Sequence, residues 1–392
     1  MAPGKLLSET TDEATGRRTF RYEAEAPVIH FFSVVSGRLE VERQAGPGGV
    51  DIEIYHLPEH DYNVTRMVEA TAASLAYYTR EFGPYPHSYA RIIEFPRYAS
   101  FAQAFPGTMP ASEAIGFIAD QKDSADIDFL SFVVAHEMAH QWWAHRVIGA
   151  DVQGATMLSE TFSQYGALMV SKQRFGADMM RKFVKYERDR YLRSRGGESR
   201  AERPLTHVED QAYVHYRKGA VVMYALQDYL GEDTLNAVLR DFHDEYAGQG
   251  PPYPTTHDFL RHLRPRVPDS LRYVVDEWLD DIVLYDNRVT EAGTDEDGAV
   301  RFTVQVAKIR ADSLGAETPL PIAGDYIDVG VYAEAGEGEL LGKELWRERV
   351  RFDAAGERSF EVSVDGEADI VAIDPDGLLL DRVTEDNTEG VE

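Results

Sequence analysis

The chain of 392 residues contains no cysteine. That excludes a disulfide framework, a thiolate metal site and a cysteine nucleophile, so a metal here would have to be held by histidine and carboxylate. Lysine is scarce, 8 against 32 arginines, and acidic residues outnumber basic ones 68 to 40. With a formal charge of −28, nucleic acid is a poor partner, because phosphates are bound through cations. Nowhere does the chain have the roughly 18 to 20 uninterrupted apolar residues that cross a bilayer. Its start, MAPGKLLSETTDEATGRR, lacks the apolar core of a signal peptide.

What is present belongs to a folded protein. Hydrophobic residues make up 43% and aromatics 11%, which excludes disorder as a description of the whole chain. The charge is uneven: residues 291–392 hold 26 acidic residues against 9 basic ones. A solvated acidic face explains this, and adaptation to high salt is the alternative, since screening removes self-repulsion.

No internal repeat is visible, and the length fits two or three domains. Residues 18–44 read as strands, and DIEIYH after the GPGG turn continues the extended pattern. Behind Asn63, a plausible N-cap, VTRMVEATAASLAYYTREFG reads as a helix closed by Gly83 and Pro84. ARIIEFP and IGFIAD read as short strands separated by a loop rich in Phe, Pro and Gly. From about Asp126 to Glu291 the pattern is mainly helical. Beyond Gly293, RFTVQVAKI, YIDVGVYAEA, KELWRERVRF and SFEVSVDG alternate as in a small antiparallel β sandwich, with TDEDG at 294–298 as the expected linker. The expected division is a partial N-terminal β segment at 1–57, a catalytic region at 58–292 and an acidic β module at 293–392.

The segment that carries chemistry is SFVVAHEMAHQWW at 131–143. On a helix, His136 and His140 lie four apart on one face and can converge on one metal ion, while Glu137 projects beside that face toward a metal-bound water. Neutral imidazoles suit Zn²⁺, and a catalytic zinc site takes three protein ligands. A third candidate, Glu160 in TMLSETFSQYGALMV, lies beyond 19 intervening residues on a second predicted helix. Two histidines and a carboxylate on adjacent helices make a catalytic zinc set.

With those residues and YRKG at 216–219, the chain resembles the zinc aminopeptidases of the aminopeptidase N type, which are gluzincins (HExxH…E). FGPYPHSYARIIEFP at 82–96 also resembles that family, and the likeness covers about residues 60–285. More narrowly, ASFAQAFPGTMPASEAIGFIAD, VIGADVQGATMLSET and HYRKGAVVMYALQDYLGED resemble the peptidase domain fused to bacterial ABC-type permeases. The resemblance implies an α+β fold with a thermolysin-like catalytic domain, one Zn²⁺ ion and a peptide substrate. It also implies covalent fusion to membrane permease segments upstream, hence a domain of a bacterial membrane protein on its extracytoplasmic side, with the cytoplasm as the alternative. His136, His140 and Glu160 would hold the metal, Glu137 would act as general base and Tyr216 as oxyanion donor. The gap from His140 to Glu160 is one residue longer than is usual in that family and equals the thermolysin spacing. Where the family has G-x-M-E-N, the pattern E-N-x-G aligns with Glu113, Ala114, Ile115 and Gly116, so Glu113 would bind the substrate's α-ammonium. AIGFI reads as an open edge strand able to pair with substrate backbone.

Three readings follow: an aminopeptidase, favoured by YRKG and Glu113; a thermolysin-like endopeptidase, favoured by the spacing; and a non-catalytic peptide-binding module of a transporter. Gln164 reads as an exposed polar residue or as a ligand-orienting one. His145 and His215 read as ordinary hydrogen-bonded histidines.

Overall fold

The computed structural model describes residues 1–121 and 126–392. The chain divides into two compact units, each discontinuous in sequence. The first comprises Met1–Asp151, Leu158–Gln173 and Asn236–Phe259; the second comprises Val152–Met157, Arg174–Leu235 and Leu260–Glu392. The expected α+β class holds, with helices and sheets in both.

In the first unit, β1 (Lys5–Thr11) and β2 (Arg18–Glu23) form an exposed antiparallel hairpin. The segment 24–39 is not the continuous strand its apolar run suggests; it has no regular structure, and Phe31, Phe32 and Val34 remain exposed. A four-stranded sheet follows, in the order β3 (Glu40–Ala45), β4 (Asp51–His56), β5 (Tyr89–Phe95), β6 (Thr108–Ser112). β3 and β4 are antiparallel, whereas β4, β5 and β6 run parallel. β5 is buried at every position, as the centre of a covered sheet requires.

Helix α1 (Val64–Phe82) starts after Asn63 and stops at Gly83, whose φ of 121° ends the helical winding. Asn63 does not cap with its side chain. Its amide instead donates to the Gly116 and Ala119 carbonyls at 2.8 and 2.9 Å, tying down the turn 113–118. That turn replaces the expected IGFIAD strand: Ile115 and Gly116 both donate back to the Ser112 carbonyl, so the chain reverses there. The strand in this region is β6 itself, and residues 101–105 fold back along it, with Phe101 O, Gln103 N and Phe105 N bonded to Ser112, Pro110 and Thr108. AIGFI is therefore not an open edge; the outer strip is 101–105.

The second unit contains most of α3 (Phe162–Gly197), α4 (Gly219–Leu230), α7 (Arg272–Leu279) and three small sheets. Between α4 and α7 the chain forms α5 (Glu232–Tyr246) and α6 (Thr256–Leu263). Strands begin at β7 (Val283–Tyr285) and β8 (Arg288–Thr294). β8 pairs with β9 (Val300–Val306), so TDEDG forms a hairpin turn rather than a linker, closed by Asp295 accepting from the Asp297 and Ala299 amides. The remaining strands are β10 (Lys308–Ala311), β11 (Glu317–Leu320), β12 (Asp325–Tyr332), β13 (Glu344–Phe352), β14 (Gly356–Val362), β15 (Ile370–Ile373) and β16 (Thr388–Gly390). They form antiparallel sheets of order β11-β10-β7, β13-β12-β15-β16 and β14-β9-β8.

Burial has a thermodynamic consequence in the first unit. His87, His145 and His243 are each pushed down from 6.5 to about 4, first of all by burial. The unfolded chain takes up protons near pH 6.5 that the folded form refuses until about pH 4, so stability present above that window is lost as pH falls through it. In urea titrations at pH 7 and pH 5, the unfolding free energy should drop by about 2 kcal/mol per histidine. Replacing His87 by Gln should reduce the drop.

Candidate active site

Helix α2 (Phe129–Ala139) is apolar on all sides and nearly all of it is buried. It begins at Asp128, whose carboxylate accepts from the Ser131 amide at 2.9 Å and from Arg66 at 2.8 Å. The Tyr78 hydroxyl donates to the Ala135 carbonyl at 2.9 Å, pinning the turn just ahead of His136. At Gly166 on α3, an added Cβ would stand 3.2 Å from Ala139 Cβ and 3.0 Å from the Tyr78 ring. The absence of a side chain there lets the third carboxylate's helix approach α2. Glu160 itself lies on a π-helical turn, Met157–Thr161, immediately before α3. Such wide turns recur at functional sites.

These elements bring three lone-pair atoms together. His136 Nε2 and His140 Nε2 are 3.0 Å apart, and Glu160 Oε2 lies 3.2 Å from the first and 3.3 Å from the second. Two donors each about 2.1 Å from a tetrahedral ion stand about 3.4 Å apart, so this set fits one zinc-sized cation. Among the described residues, the buried Glu160 Oε2 faces only the two imidazole nitrogens, so its lone pairs point to the place a cation would take. The electrostatics agree. Burial alone would lower His140, yet the Glu160 carboxylate outweighs it and pushes His140 up to about 9. Burial works the other way on Glu160, and His140 and His136 overcome it, holding the carboxyl well below its ordinary range. The cluster thus requires positive charge, from a proton or from a metal that replaces it. Changing Glu160 to Gln should weaken zinc binding more than the 10- to 100-fold expected for outer partners, measured by competition with a chelating dye.

Supporting residues orient the donors. His140 Nδ1 lies 3.0 Å from the Trp143 carbonyl and 3.0 Å from Ser163 Oγ, which fixes the ring. A donated Nδ1–H leaves Nε2 free to bind metal. Ser163 was not among the residues singled out from sequence; its position one helical turn after Glu160 was the available signal. Gln164 is buried rather than exposed. Gln141, directly after HExxH, bridges to the loop before β6, accepting from the Gly107 amide at 2.8 Å and donating to the Phe105 carbonyl at 3.0 Å. His145 is hydrogen-bonded, as read, with its Nε2 3.1 Å from the Ala104 carbonyl.

Glu137 is buried, and its carboxyl is raised above the ordinary value, chiefly by burial. His136, His140 and the Ala104 backbone amide favour its charged form. The strip 102–105 therefore runs beside the candidate base. Glu113 is not part of this group. Its carboxylate clusters with His60 and Glu94, and Arg97 approaches it at 3.5 Å. Tyr216 belongs to the second unit, half-buried on a second π-helical turn, Tyr213–Lys218, with its ring 4.7 Å from that of His215. The adjacent Arg217 grips the buried Glu187 carboxylate of α3 at 2.8 and 2.9 Å.

The fold is α+β, and in it a helix presents two histidines to a carboxylate on the turn that leads into the next helix, with a second glutamate beside them, a donor set suited to a metal ion. The peptidase family M1 domain matches residues 66–278, more than half of the chain, and the chain belongs to that family. Among its relatives, aminopeptidase M1-A of Oryza sativa subsp. japonica is 24% identical over 237 residues, covering 58% of this chain and 27% of the relative. Human endoplasmic reticulum aminopeptidase 2 is 28% identical over 194 residues, covering 47% of this chain and 20% of the relative. The chain thus spans about a quarter of the length of these relatives. In fold it is similar to Legionella pneumophila aminopeptidase A, solved in complex with aspartic acid, with a TM-score of 0.63 at 17% identity over 98% of this chain and 43% of the other.

Proposed function

We propose that this chain hydrolyses peptide bonds with one zinc ion held by His136, His140 and Glu160, and that it removes N-terminal residues from peptides. The convergence of those three donors beside Glu137 carries the reading. A zinc ion bound there would polarise the scissile carbonyl and lower the pKa of a water molecule. Glu137 accepts the water's proton and delivers it to the leaving amine. Tyr216, by its YRKG motif, donates a hydrogen bond to the oxyanion, and Glu113, by its place in the motif, binds the α-ammonium. Changing Tyr216 to Phe should lower kcat by about 100-fold or more with little change in KM.

Removal of N-terminal residues is supported by the relatives, which are named as aminopeptidases. A second reading, cleavage of internal bonds, is favoured by one observation. The strip beside Glu137 presents Ala104, which has no carboxylate to receive an ammonium group. Fluorogenic amides of single amino acids, set against N-terminally blocked peptides, test the choice. Turnover of the amides alone supports N-terminal removal, and turnover of blocked peptides alone overturns it.

A further inference from the structure

In the second unit, Arg181, Lys185 and Arg188 recur at helical spacing along α3 and so share one face of it. They line a cavity of about 210 Å³ together with the turn after β15, from Asp374 to Gly377, and with Asn387. A basic stripe in so acidic a chain serves first to pair with carboxylates, and two of the three cations do so. Arg181 donates to Asp376 at 2.8 Å, and Lys185, half exposed, donates to Asp189 one turn further along the helix.

Arg188 differs. It is 7% exposed, yet its Nε has no hydrogen-bond partner among the described residues. Asp189 Oδ1 stands 3.7 Å from that nitrogen, beyond hydrogen-bond reach, and the Asp189 carboxylate already accepts from Lys185. Gly377 makes room for the guanidinium: its φ is +65°, and an added Cβ would stand 2.5 Å from Arg188 Nη1. Arginine stays charged at any working pH, so burying it without acceptors is costly unless a bound group supplies them. Asn387 has the same shortage, being 5% exposed with neither Nδ2 nor Oδ1 bonded among the described residues. Two buried polar side chains with unmet hydrogen-bonding capacity in the lining of one cavity point to a polar occupant. We infer that this cavity binds a small carboxylate-bearing molecule, anchored by the Arg188 guanidinium and the Asn387 amide. The inference is independent of the peptidase reading above.

The lining selects the class of ligand. The planar fork of a guanidinium matches the two oxygens of a carboxylate. Asp374 does not cancel Arg188, because its oxygens accept from the Leu378 and Leu379 amides at 2.9 Å each. Burial also pushes the Asp374 carboxyl up to about 8, so at neutral pH it is mostly uncharged. Asp376 is held by Arg181 and, at 2.7 Å, by Arg347. Asp376 and the exposed Glu385, also in the lining, repel a doubly charged phosphate more than a singly charged carboxylate. A volume of about 210 Å³ equals the share of about seven liquid waters at about 30 Å³ each, which suits a molecule between acetate and an amino acid in size.

Calorimetric titration of the zinc-loaded full chain with acetate, glycine and phosphate, at pH 7 and constant ionic strength, tests the assignment. Acetate or glycine should bind saturably, and Arg188→Gln should weaken that binding by at least about tenfold. Without ligand, Arg188→Gln should melt no lower than the wild type, because it removes a buried charge that the protein leaves without acceptors. Asn387→Ser, which keeps the cation, should weaken binding by a smaller factor and gives a second reading should Arg188→Gln fail to fold. Three results overturn the inference: no saturable binding, binding of phosphate alone, or carboxylate binding that neither variant weakens, as when the ligand sits on the zinc.

Discussion

Glu137→Gln should lower kcat by about 10³-fold while zinc binds as tightly as before. The substitution keeps shape and removes only the ability to accept a proton. Glu137 is 8% exposed, and its backbone partner, the Ala104 amide, can still donate to the side-chain oxygen of Gln. The donor set on His136, His140 and Glu160 is untouched, which separates this variant from Glu160→Gln, where metal affinity falls. Single-turnover kinetics with zinc quantified in the same sample makes the distinction. Wild-type turnover in the zinc-loaded variant would remove Glu137 from the mechanism.

The largest expected loss of stability lies elsewhere, at Lys308 in β10. Its ammonium is 1% exposed and donates to Glu277 at 2.8 and 2.7 Å and to Asp325 at 2.7 Å. Burial raises the Glu277 carboxyl, Lys308 counters that, and Asp325 adds to it. Lys308→Met removes the cation and leaves two carboxylates facing each other away from water. The expected cost is about 3–5 kcal/mol. The defect is one of ionisation, so its sign with pH is fixed: without the cation the Glu277 carboxyl, already raised by burial, is raised further, and the penalty is present at neutral pH and shrinks as acid protonates it. Urea melts of the variant at pH 7 and pH 4.5 read the effect. A deficit equal at both values would mean that lost packing, and not charge, is responsible.

The parts of the fold with strong periodicity were legible from sequence. Helix α1, the HExxH helix and the strands of the acidic module all occur where their apolar spacing put them. The errors arose where tertiary context decides. IGFI has the composition of a strand but is a turn, because Ser112 O takes two amides and Asn63 reaches across to hold the carbonyls that follow. TDEDG has the composition of a linker, yet Asp295 makes it a hairpin turn. At the site, helical periodicity predicts that His136 and His140 share a face. Only packing through Gly166 shows how Glu160 reaches them, and no spacing rule reveals that Ala104 is the residue beside Glu137. Glu113 drew attention through a motif, whereas in space it keeps company with His60 and Glu94.

The winding at Met157–Thr161 bears on how related chains should be compared. A π-helical turn accommodates one residue more than an α-helical turn with the same end points. A difference of one between His140 and Glu160 therefore falls within what local winding absorbs, without displacing the carboxylate. Counting residues between the ligands measures how this backbone is coiled and says little about which bond of a peptide is cut. In an alignment, the gap belongs inside that turn, where insertion leaves the register of α3 and the placement of Gly166 and Ser163 intact.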